Sequence, residues 1–300
     1  MEIPALHLRS ELLADGYTVD ELRALIRGGD LTPLRRGVYL PGPEPEGSDA
    51  RHRLAVHAAF VDLAEGTVAS HGSAAVLHGL PTWKVPLDRV HVTKVRAYGG
   101  RRDRLVHVHV ARVDPDEVTR VDGIPVTTLE RTVVDLARSL PFEPAVAVGD
   151  AALVANRAGA DELIDSLRRS ARRPGCVRAR RVIAFLDGRA ESVGESRSRV
   201  ALHRAGLPTP LPQWEVRDRH GRLLGRTDFG WPDWRVAGEF DGRIKYGRAL
   251  KPGQDVSEVV YQEKLREDEL RAEGLTVVRW CWADLGAFEH KAAQLRRSLT

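Results

Sequence analysis

Residues 1–42 alternate between helical and extended patterns of hydrophobic positions. Apolar side chains repeat at the helical period up to a break at Asp15 and Gly16, and again after Thr18. Thr18 and Glu21 form a T-x-x-E capping box, which marks the start of a second helix, and Gly28 marks its end. The segment LTPLRRGVYL then alternates as a short hairpin does. The pattern predicts helix, turn, helix and hairpin.

Four arginines lie on the outer parts of this segment. Arg23 and Arg27 fall on the outer face of the second predicted helix, and Arg35 and Arg36 fall at the tip of the hairpin. The arrangement resembles a winged helix-turn-helix, in which one helix enters the major groove of DNA and the wing contacts phosphates. A small packing unit without a ligand is the alternative, and two acids in the first turn of the second helix would repel phosphates. We expect residues 1–42 to form a DNA-binding domain.

A linker rich in proline and glycine, PGPEPEGSD, leads to residues 50–142, which have the mixed pattern of an α/β unit. One helix precedes the strand-like segments VHVTKV and VHVHVARV, and an amphipathic helix lies within IPVTTLERTVVDLARSLP. His71 and His78 would stand about 10 Å apart along one helix, too far to share an ion. His107 and His109 share a strand face and could share an ion, but no carboxylate or cysteine joins them at a convincing spacing. We therefore expect structural roles for these histidines.

Residues 143–190 are predicted to be a helical bridge that carries a cluster of positive charge. The stretch from Arg168 to Arg181 contains seven arginines and no acid, so subtracting it from the formal net charge of +4 leaves −3 for the rest of the chain. Such a cluster is typical of a segment that contacts phosphates, although a solvated helix face is the alternative. The arginines predicted to contact DNA here are Arg172, Arg173, Arg180 and Arg181.

Composition narrows the class of protein. Hydrophobic residues make up 42% and charged residues 29% of the chain, which favours globular domains over disorder. No apolar run approaches the roughly 18 residues of a membrane span, so we expect no membrane partner. The two cysteines, Cys176 and Cys281, cannot build a disulfide framework or a four-thiolate zinc site, and a cytoplasmic location is expected.

Acidic residues converge in residues 191–300, where the predicted order is helix, three strands, helix, strand and helix. Asp228 and Glu239 lie at similar distances on either side of a PDW turn, so a hairpin sets them nearly opposite each other. Asp241 shares the face of Glu239, and Glu195 on the preceding helix can point to the same end. Carboxylates this close repel unless a divalent cation lies between them, which predicts a Mg²⁺ or Mn²⁺ site. A solvated hairpin without a ligand is the alternative.

Three motifs in the N-terminal half of the chain are similar to those of the AbiEi family of antitoxins and transcriptional regulators. They are RRGVYLPG, ASHGSAAVLHGLP and GIPVTTLERTVVDLAR, in that order. The resemblance implies sequence-specific DNA binding by this half of the chain and no catalysis. It also implies a cognate toxin as a partner, and a homodimer would suit a palindromic DNA site.

Residues 191–300 resemble the PD-(D/E)xK nucleases of the restriction-endonuclease-like fold, within the branch related to very-short-patch-repair endonucleases. The matching residues are Glu195, Asp228, the EFDG string that begins at Glu239, and EKLREDELRAEGLTVVRW. The resemblance implies that Asp228 is the central metal ligand and that Glu239 is a ligand or orients water. Glu195 would assist on the outer side of the metal. The fold class expected for the whole chain is an α/β multidomain protein with a C-terminal α-β-β-β-α-β core.

Two departures from that pattern leave the function open. Asp241 replaces the lysine of the motif, and Lys245 is a candidate to supply the missing cation. Lys264 and Arg266 are predicted to contact the DNA backbone, against ordinary pairing with neighbouring acids on a helix surface. The first hypothesis is a DNA-binding protein with a Mg²⁺-dependent endonuclease domain. The second is an antitoxin or regulator whose nuclease-like domain does not cut.

Overall fold

A computed structural model describes residues 5–94, 105–154, 158–242 and 269–300 of the chain. These residues group into two compact units. The N-terminal unit comprises residues 1–148 and 158–184, and the C-terminal unit comprises residues 149–157 and 185–300. The segments predicted as a DNA-binding domain and an α/β unit thus belong to one unit, and the predicted bridge is divided between both.

The N-terminal unit begins with a small antiparallel sheet and two helices. Its elements are β1 (His7–Leu8), α1 (Arg9–Ala14), α2 (Val19–Gly28), β2 (Leu31–Arg35) and β3 (Val38–Pro41), with strand order β1-β3-β2. The predicted capping box is confirmed, because Glu21 N–H donates to Thr18 Oγ1 over 3.2 Å and Thr18 N–H donates to Glu21 Oε2 over 2.7 Å. Gly29 ends α2 at a φ of 84°, which favours glycine. Buried Leu12, Leu22 and Leu31 form the core beneath these elements.

A five-stranded mixed sheet with helices follows, which confirms the predicted α/β character. Its elements are α3 (Ser48–Phe60), β4 (Val68–Ala69), α4 (His71–Leu77), β5 (Val90–Lys94), β6 (Val106–Val110), β7 (Val118–Val121), β8 (Ile124–Thr127) and α5 (Leu129–Ser139). The strand order is β6-β5-β4-β8-β7, in which β5 with β6 and β4 with β8 run parallel. One face packs Val56, Ala69, Val92 and Val126 into a core.

Three further helices are α6 (Phe142–Leu153), α7 (Ala160–Arg169) and α8 (Cys176–Ile183). Helix α5 packs against α4, α7 and α8. Arg131 on α5 is buried with Glu117 and Asp135, and its guanidinium donates to both carboxylates over 2.6 and 2.8 Å. A buried charge is tolerated only with such partners, so this network fixes where α5 sits.

The C-terminal unit is built on a four-stranded sheet. Its elements are α9 (Val193–Arg204), β9 (Leu211–Arg217), β10 (Leu223–Trp231), β11 (Val236–Asp241), β12 (Thr276–Cys281) and α10 (Glu289–Ser298). The strand order is β12-β11-β10-β9, with antiparallel pairs except for parallel β11 and β12. The described elements follow the predicted order, and the long helix predicted before β12 falls largely outside the described residues.

Large aromatic side chains form the core of this unit. Phe229, Trp231 and Trp280 are almost fully buried with residues of α9 and α10. Trp280 Nε1 donates to Ser198 Oγ on α9 over 2.7 Å, which satisfies the indole. Gly238 lies so close to Trp280 that a Cβ there would stand 2.5 Å from the ring, so the strand needs a glycine at this position. Within the described segments, no helix is both long and apolar enough to cross a bilayer.

Candidate functional site

The sheet of the C-terminal unit brings two of the predicted acids together. Strands β10 and β11 are paired from Trp231 with Val236 to Phe229 with Gly238, and Asp228 and Glu239 are the next residue on each strand. Asp228 Oδ2 accepts a hydrogen bond from the backbone N–H of Phe240 over 2.7 Å. The carboxylate therefore takes the place of a backbone acceptor, which holds it against β11 beside Glu239.

A cation lies beside Glu239 on the neighbouring strand. Arg279 pairs with Glu239 in the parallel register of β11 and β12, and its Nε donates to Glu239 Oε2 over 2.8 Å. The Glu239 side chain is 11% exposed and that of Arg279 is 39% exposed, so the guanidinium also faces solvent. Arg279 was not predicted as a site residue, because nothing local in the sequence states which residue of β12 falls beside Glu239.

Glu195 has a well-defined structural role. It is buried, and its carboxylate accepts hydrogen bonds from Ser192 Oγ, the Glu191 N–H and Gln213 Nε2 over 2.7, 2.9 and 2.7 Å. Ser192 Oγ accepts the Glu195 N–H in return, so the pair caps the start of α9. Glu195 thereby links the start of α9 to strand β9.

Gln213, the partner of Glu195, adopts a strained backbone conformation. It lies between Pro212, which pairs with Phe229, and Trp214, which pairs with Thr227, so it sits on β9 at the level of Asp228. Its φ is 54°, in the left-handed region, where a residue other than glycine costs about 1–3 kcal/mol. Such strain concentrates at functional sites, and no sequence pattern indicated it.

The remaining predicted site residues of this unit are Asp241 and three cations. Asp241 is exposed at the end of β11, two residues beyond Glu239. Lys245, Lys264 and Arg266 lie outside the described residues. Asp228, Glu239 and Arg279 are therefore the part of the site whose geometry the structure describes.

The arginines predicted to contact DNA from residues 1–42 differ in their surroundings. Arg35 donates to the carbonyl of Ala59 over 3.1 Å and lies 3.6 Å from Asp62, so it ties the hairpin to the end of α3. Arg36 is exposed in the turn between β2 and β3. Arg23 and Arg27 are exposed on α2, where Arg23 pairs with Asp20 over 2.9 Å.

In the arginine cluster of residues 168–181, some members bond to backbone carbonyls and others are exposed. Arg173 donates to the Arg112 carbonyl over 2.8 Å, and burial lowers the pKa of Arg173. Arg178 caps the end of α5 by donating to the carbonyls of Ser139 and Leu140. The cluster's exposed members that have neither an ion pair nor a hydrogen bond to a carbonyl among the described residues are Arg172, Arg180 and Arg181.

A group of histidines converges on the large sheet of the N-terminal unit. His71 begins α4, His91 lies on β5 and His109 lies on β6, and one ring nitrogen from each lies within 4.8 Å of the others. His91 Nδ1 and His109 Nε2 are 3.0 Å apart. Burial lowers the pKa of His71 and His109 to about 3 and that of His91 to about 4, so all three rings are neutral at pH 7. Spacing along the chain did not reveal this group because its members come from three elements.

Fold and acid pair together define a two-unit α/β protein with a candidate site on the neighbouring strands β10 and β11. No family profile matches the chain. Two uncharacterized proteins of Mycobacterium tuberculosis, Rv2248 of strain ATCC 25618 / H37Rv and MT2308 of strain CDC 1551 / Oshkosh, are each 34% identical to it over 224 residues. The alignment covers 75% of this chain and 78% of each relative. The chain belongs to the family of these two proteins.

A solved structure is also similar to this chain. The crystal structure of the RV2827C protein from Mycobacterium tuberculosis aligns with 20% identity and a TM-score of 0.42, over 72% of this chain and 84% of that one. At this level the likeness says nothing about the site.

Proposed function

We propose that this is a DNA-binding protein whose C-terminal unit is a divalent-metal-dependent DNA endonuclease of the PD-(D/E)xK type. One observation carries the proposal. Asp228 and Glu239 lie opposite each other on β10 and β11, next to the last paired residues of the two strands, and Arg279 contacts Glu239 from β12. Two carboxylates and a cation on neighbouring strands of a sheet are the groups that phosphodiester hydrolysis needs.

The donor set fits Mg²⁺ or Mn²⁺. Asp228 and Glu239 supply carboxylate oxygens, the hard ligands that these ions prefer. Asp241 lies two residues beyond Glu239 on the same strand, and neighbouring carboxylates repel one another. A divalent cation between Asp228 and Glu239 would relieve that repulsion. Asp228 and Glu239 would hold it, and it would activate a water and offset charge on the phosphodiester.

The residues around the acids orient them for this chemistry. The Phe240 N–H fixes one oxygen of Asp228, so the carboxylate is positioned before any ligand arrives. Arg279 is exposed enough to reach a phosphate while it remains beside Glu239, and arginine binds phosphate through two parallel hydrogen bonds. Arg279 therefore offers the cation that Asp241 cannot supply. Glu195 acts at a distance, through Gln213, by holding β9 to the start of α9.

Exposed arginines of the N-terminal unit support the DNA-binding part of the proposal. Arg36 stands in a hairpin turn, and Arg172, Arg180 and Arg181 are exposed on or beside α8. Arginines that meet phosphates release counterions from the duplex. Arg35 and Arg173 donate hydrogen bonds to backbone carbonyls and therefore also stabilise the fold of the N-terminal unit.

A second candidate function is a DNA-binding regulator or antitoxin whose C-terminal unit does not cut. Asp241 favours it, because an exposed carboxylate occupies the strand position at which the nuclease motif has lysine. A negative charge there repels the phosphate that a lysine would stabilise. A cognate toxin would be the partner in this case.

Cleavage of supercoiled plasmid, linear duplex and single-stranded DNA with Mg²⁺ or Mn²⁺ tests the proposal. Wild-type protein is compared with Asp228→Asn, which keeps an oxygen to accept the Phe240 N–H. The matched control is Asp233→Asn, an exposed acid in the turn between β10 and β11. We expect wild type and Asp233→Asn to cut, and Asp228→Asn to be slower by at least about 100-fold.

Two other outcomes would each contradict a different part of the endonuclease proposal. Equal cutting by all three proteins would show that the activity does not come from this site. DNA binding without cutting by the wild type, with every substrate and both metals, would favour the regulator. The melting temperatures of both variants check that the fold is retained.

A further inference from the structure

The histidine group of the N-terminal unit lies far along the sequence from the acids and plays no part in the proposed cleavage. His91 and His109 are contributed by parallel neighbouring strands, and His71 by the first residue of α4. His71 is buried, whereas His91 and His109 are half-buried. The group is therefore closed on one side and reachable from solvent on the other.

The spacing of the ring nitrogens is close to that of a metal centre. His91 Nδ1 and His109 Nε2 stand 3.0 Å apart, and nitrogens on a tetrahedral zinc ion are about 3.3 Å apart. The third ring offers a nitrogen within 4.8 Å of both. The His71 and His109 rings stack with their centroids 3.6 Å apart, so binding requires these side chains to rotate by a modest amount.

Neighbouring groups hold the His71 ring in place. Thr93 Oγ1 donates to Ser70 Oγ over 2.8 Å, and Ser70 Oγ lies 3.1 Å from Nδ1 of His71. Hydrogen bonds to the second nitrogen are characteristic of histidines that bind metals. His71 also has a φ of 50°, a conformation that its surroundings must enforce.

We propose that His71, His91 and His109 bind a zinc ion, with the fourth position open to solvent. Three imidazoles without a carboxylate suit Zn²⁺, and Co²⁺ as its spectroscopic substitute, and disfavour Mg²⁺. The ion would join β5, β6 and the start of α4. It would be separate from the Mg²⁺ or Mn²⁺ site proposed for the C-terminal unit. This reverses the expectation from sequence that the histidines are only structural.

Metal titration of the full chain tests this site. Protein without a histidine tag is stripped with chelator and titrated with Co²⁺, and Zn²⁺ is then added in competition. We expect one Co²⁺ per chain to give visible absorption bands typical of four-coordinate Co²⁺, and these bands to be lost as Zn²⁺ binds. His91→Gln and His109→Gln should each weaken Zn²⁺ binding by more than about 100-fold, because losing a ligand exceeds the loss of an outer hydrogen bond.

Two controls separate this site from others. His107 shares the strand and face of His109, and its ring stacks on His109 with centroids 4.3 Å apart, yet it lies outside the group of three. His107→Gln should keep the wild-type affinity, and so should Asp228→Asn. Equal weakening in His107→Gln and His109→Gln would overturn the assignment, as would the absence of Co²⁺ and Zn²⁺ binding by wild type.

A measurement on the unmutated protein covers the case in which the variants misfold. X-ray absorption of the zinc-loaded wild type should show a shell of three imidazole nitrogens and one oxygen at about 2.0 Å. A shell with sulfur, or one made of oxygen alone, would refute the site. Zinc should also raise the melting temperature of the wild type, because it binds the folded chain.

Discussion

Replacing Arg131 with methionine tests the charge network that holds α5 in the N-terminal unit. Arg131, Glu117 and Asp135 have side chains that are each 1% exposed, and the guanidinium donates to both carboxylates. Methionine matches the length of the arginine stem but supplies no charge. Glu117 is then left 3.7 Å from Arg169, and Asp135 keeps Arg138 at 2.7 Å.

The expected cost follows from the burial of these groups. Removing one partner of a buried ion pair lowers the free energy of unfolding by about 3–5 kcal/mol, because the remaining charge is buried without its partner. In a unit of this size, 1 kcal/mol changes the melting temperature by about 2–4 °C. The N-terminal unit of Arg131→Met should therefore melt roughly 6–20 °C lower.

Differential scanning calorimetry of the full chain measures this loss. Arg168→Met is the matched control, since Arg168 pairs with Asp165 at the surface and should contribute no more than about 1 kcal/mol. Adding Glu117→Gln and Asp135→Asn to Arg131→Met removes the stranded charges and should restore much of the stability. A decrease in Arg131→Met no larger than that of Arg168→Met would refute the reasoning.

Three further predictions concern the site, the DNA surface and pH. Arg279→Gln should slow metal-dependent cleavage by about 100-fold with an unchanged fold, because it removes the cation beside Glu239; an unchanged rate would exclude Arg279 from the site. Joint replacement of Arg172, Arg180 and Arg181 by glutamine should reduce the salt dependence of DNA affinity by a slope of about 3, whereas Arg178→Gln should lower the melting temperature instead. If the salt dependence of the triple variant equals that of the wild type, these three arginines do not contact DNA phosphates. Burial lowers the pKa of His52 below its ordinary 6.5. The unfolded chain therefore binds more protons in acid than the folded chain, and the N-terminal unit should lose stability as pH falls below about 6.5. Urea unfolding at several pH values should show a weaker dependence in His52→Gln, and equal slopes would oppose this assignment.

Features set by short stretches of chain could be predicted from the sequence. The capping box of Thr18 and Glu21 depends on four residues and is present as expected. The closeness of Asp228 and Glu239 could also be predicted, because a short turn fixes the register of the hairpin that carries them. The capping role of Glu195 could also be predicted, because Ser192 and Glu195 form the same S/T-x-x-E pattern as Thr18 and Glu21.

Features that depend on distant contacts could not be predicted. Arg279 falls beside Glu239 through parallel pairing of two strands that lie far apart in the sequence, and no local signal fixes that register. The hydrogen bond from Arg35 at the hairpin to the Ala59 carbonyl on α3 joins residues 24 apart in the sequence, and no local pattern indicates it. His71, His91 and His109 meet only because two parallel strands and a helix start adjoin. The spacing of residues along the sequence carries no information about contacts between distant elements.

Direct binding of Mn²⁺, followed by electron paramagnetic resonance, tests most directly whether Asp228 on β10 and Glu239 on β11 form a metal site. Wild type and Asp233→Asn should each bind an ion that Mg²⁺ displaces. Asp228→Asn and Glu239→Gln should each bind it at least about 10-fold more weakly, because each loses a charged ligand. Equal Mn²⁺ affinity in all four proteins would contradict the account.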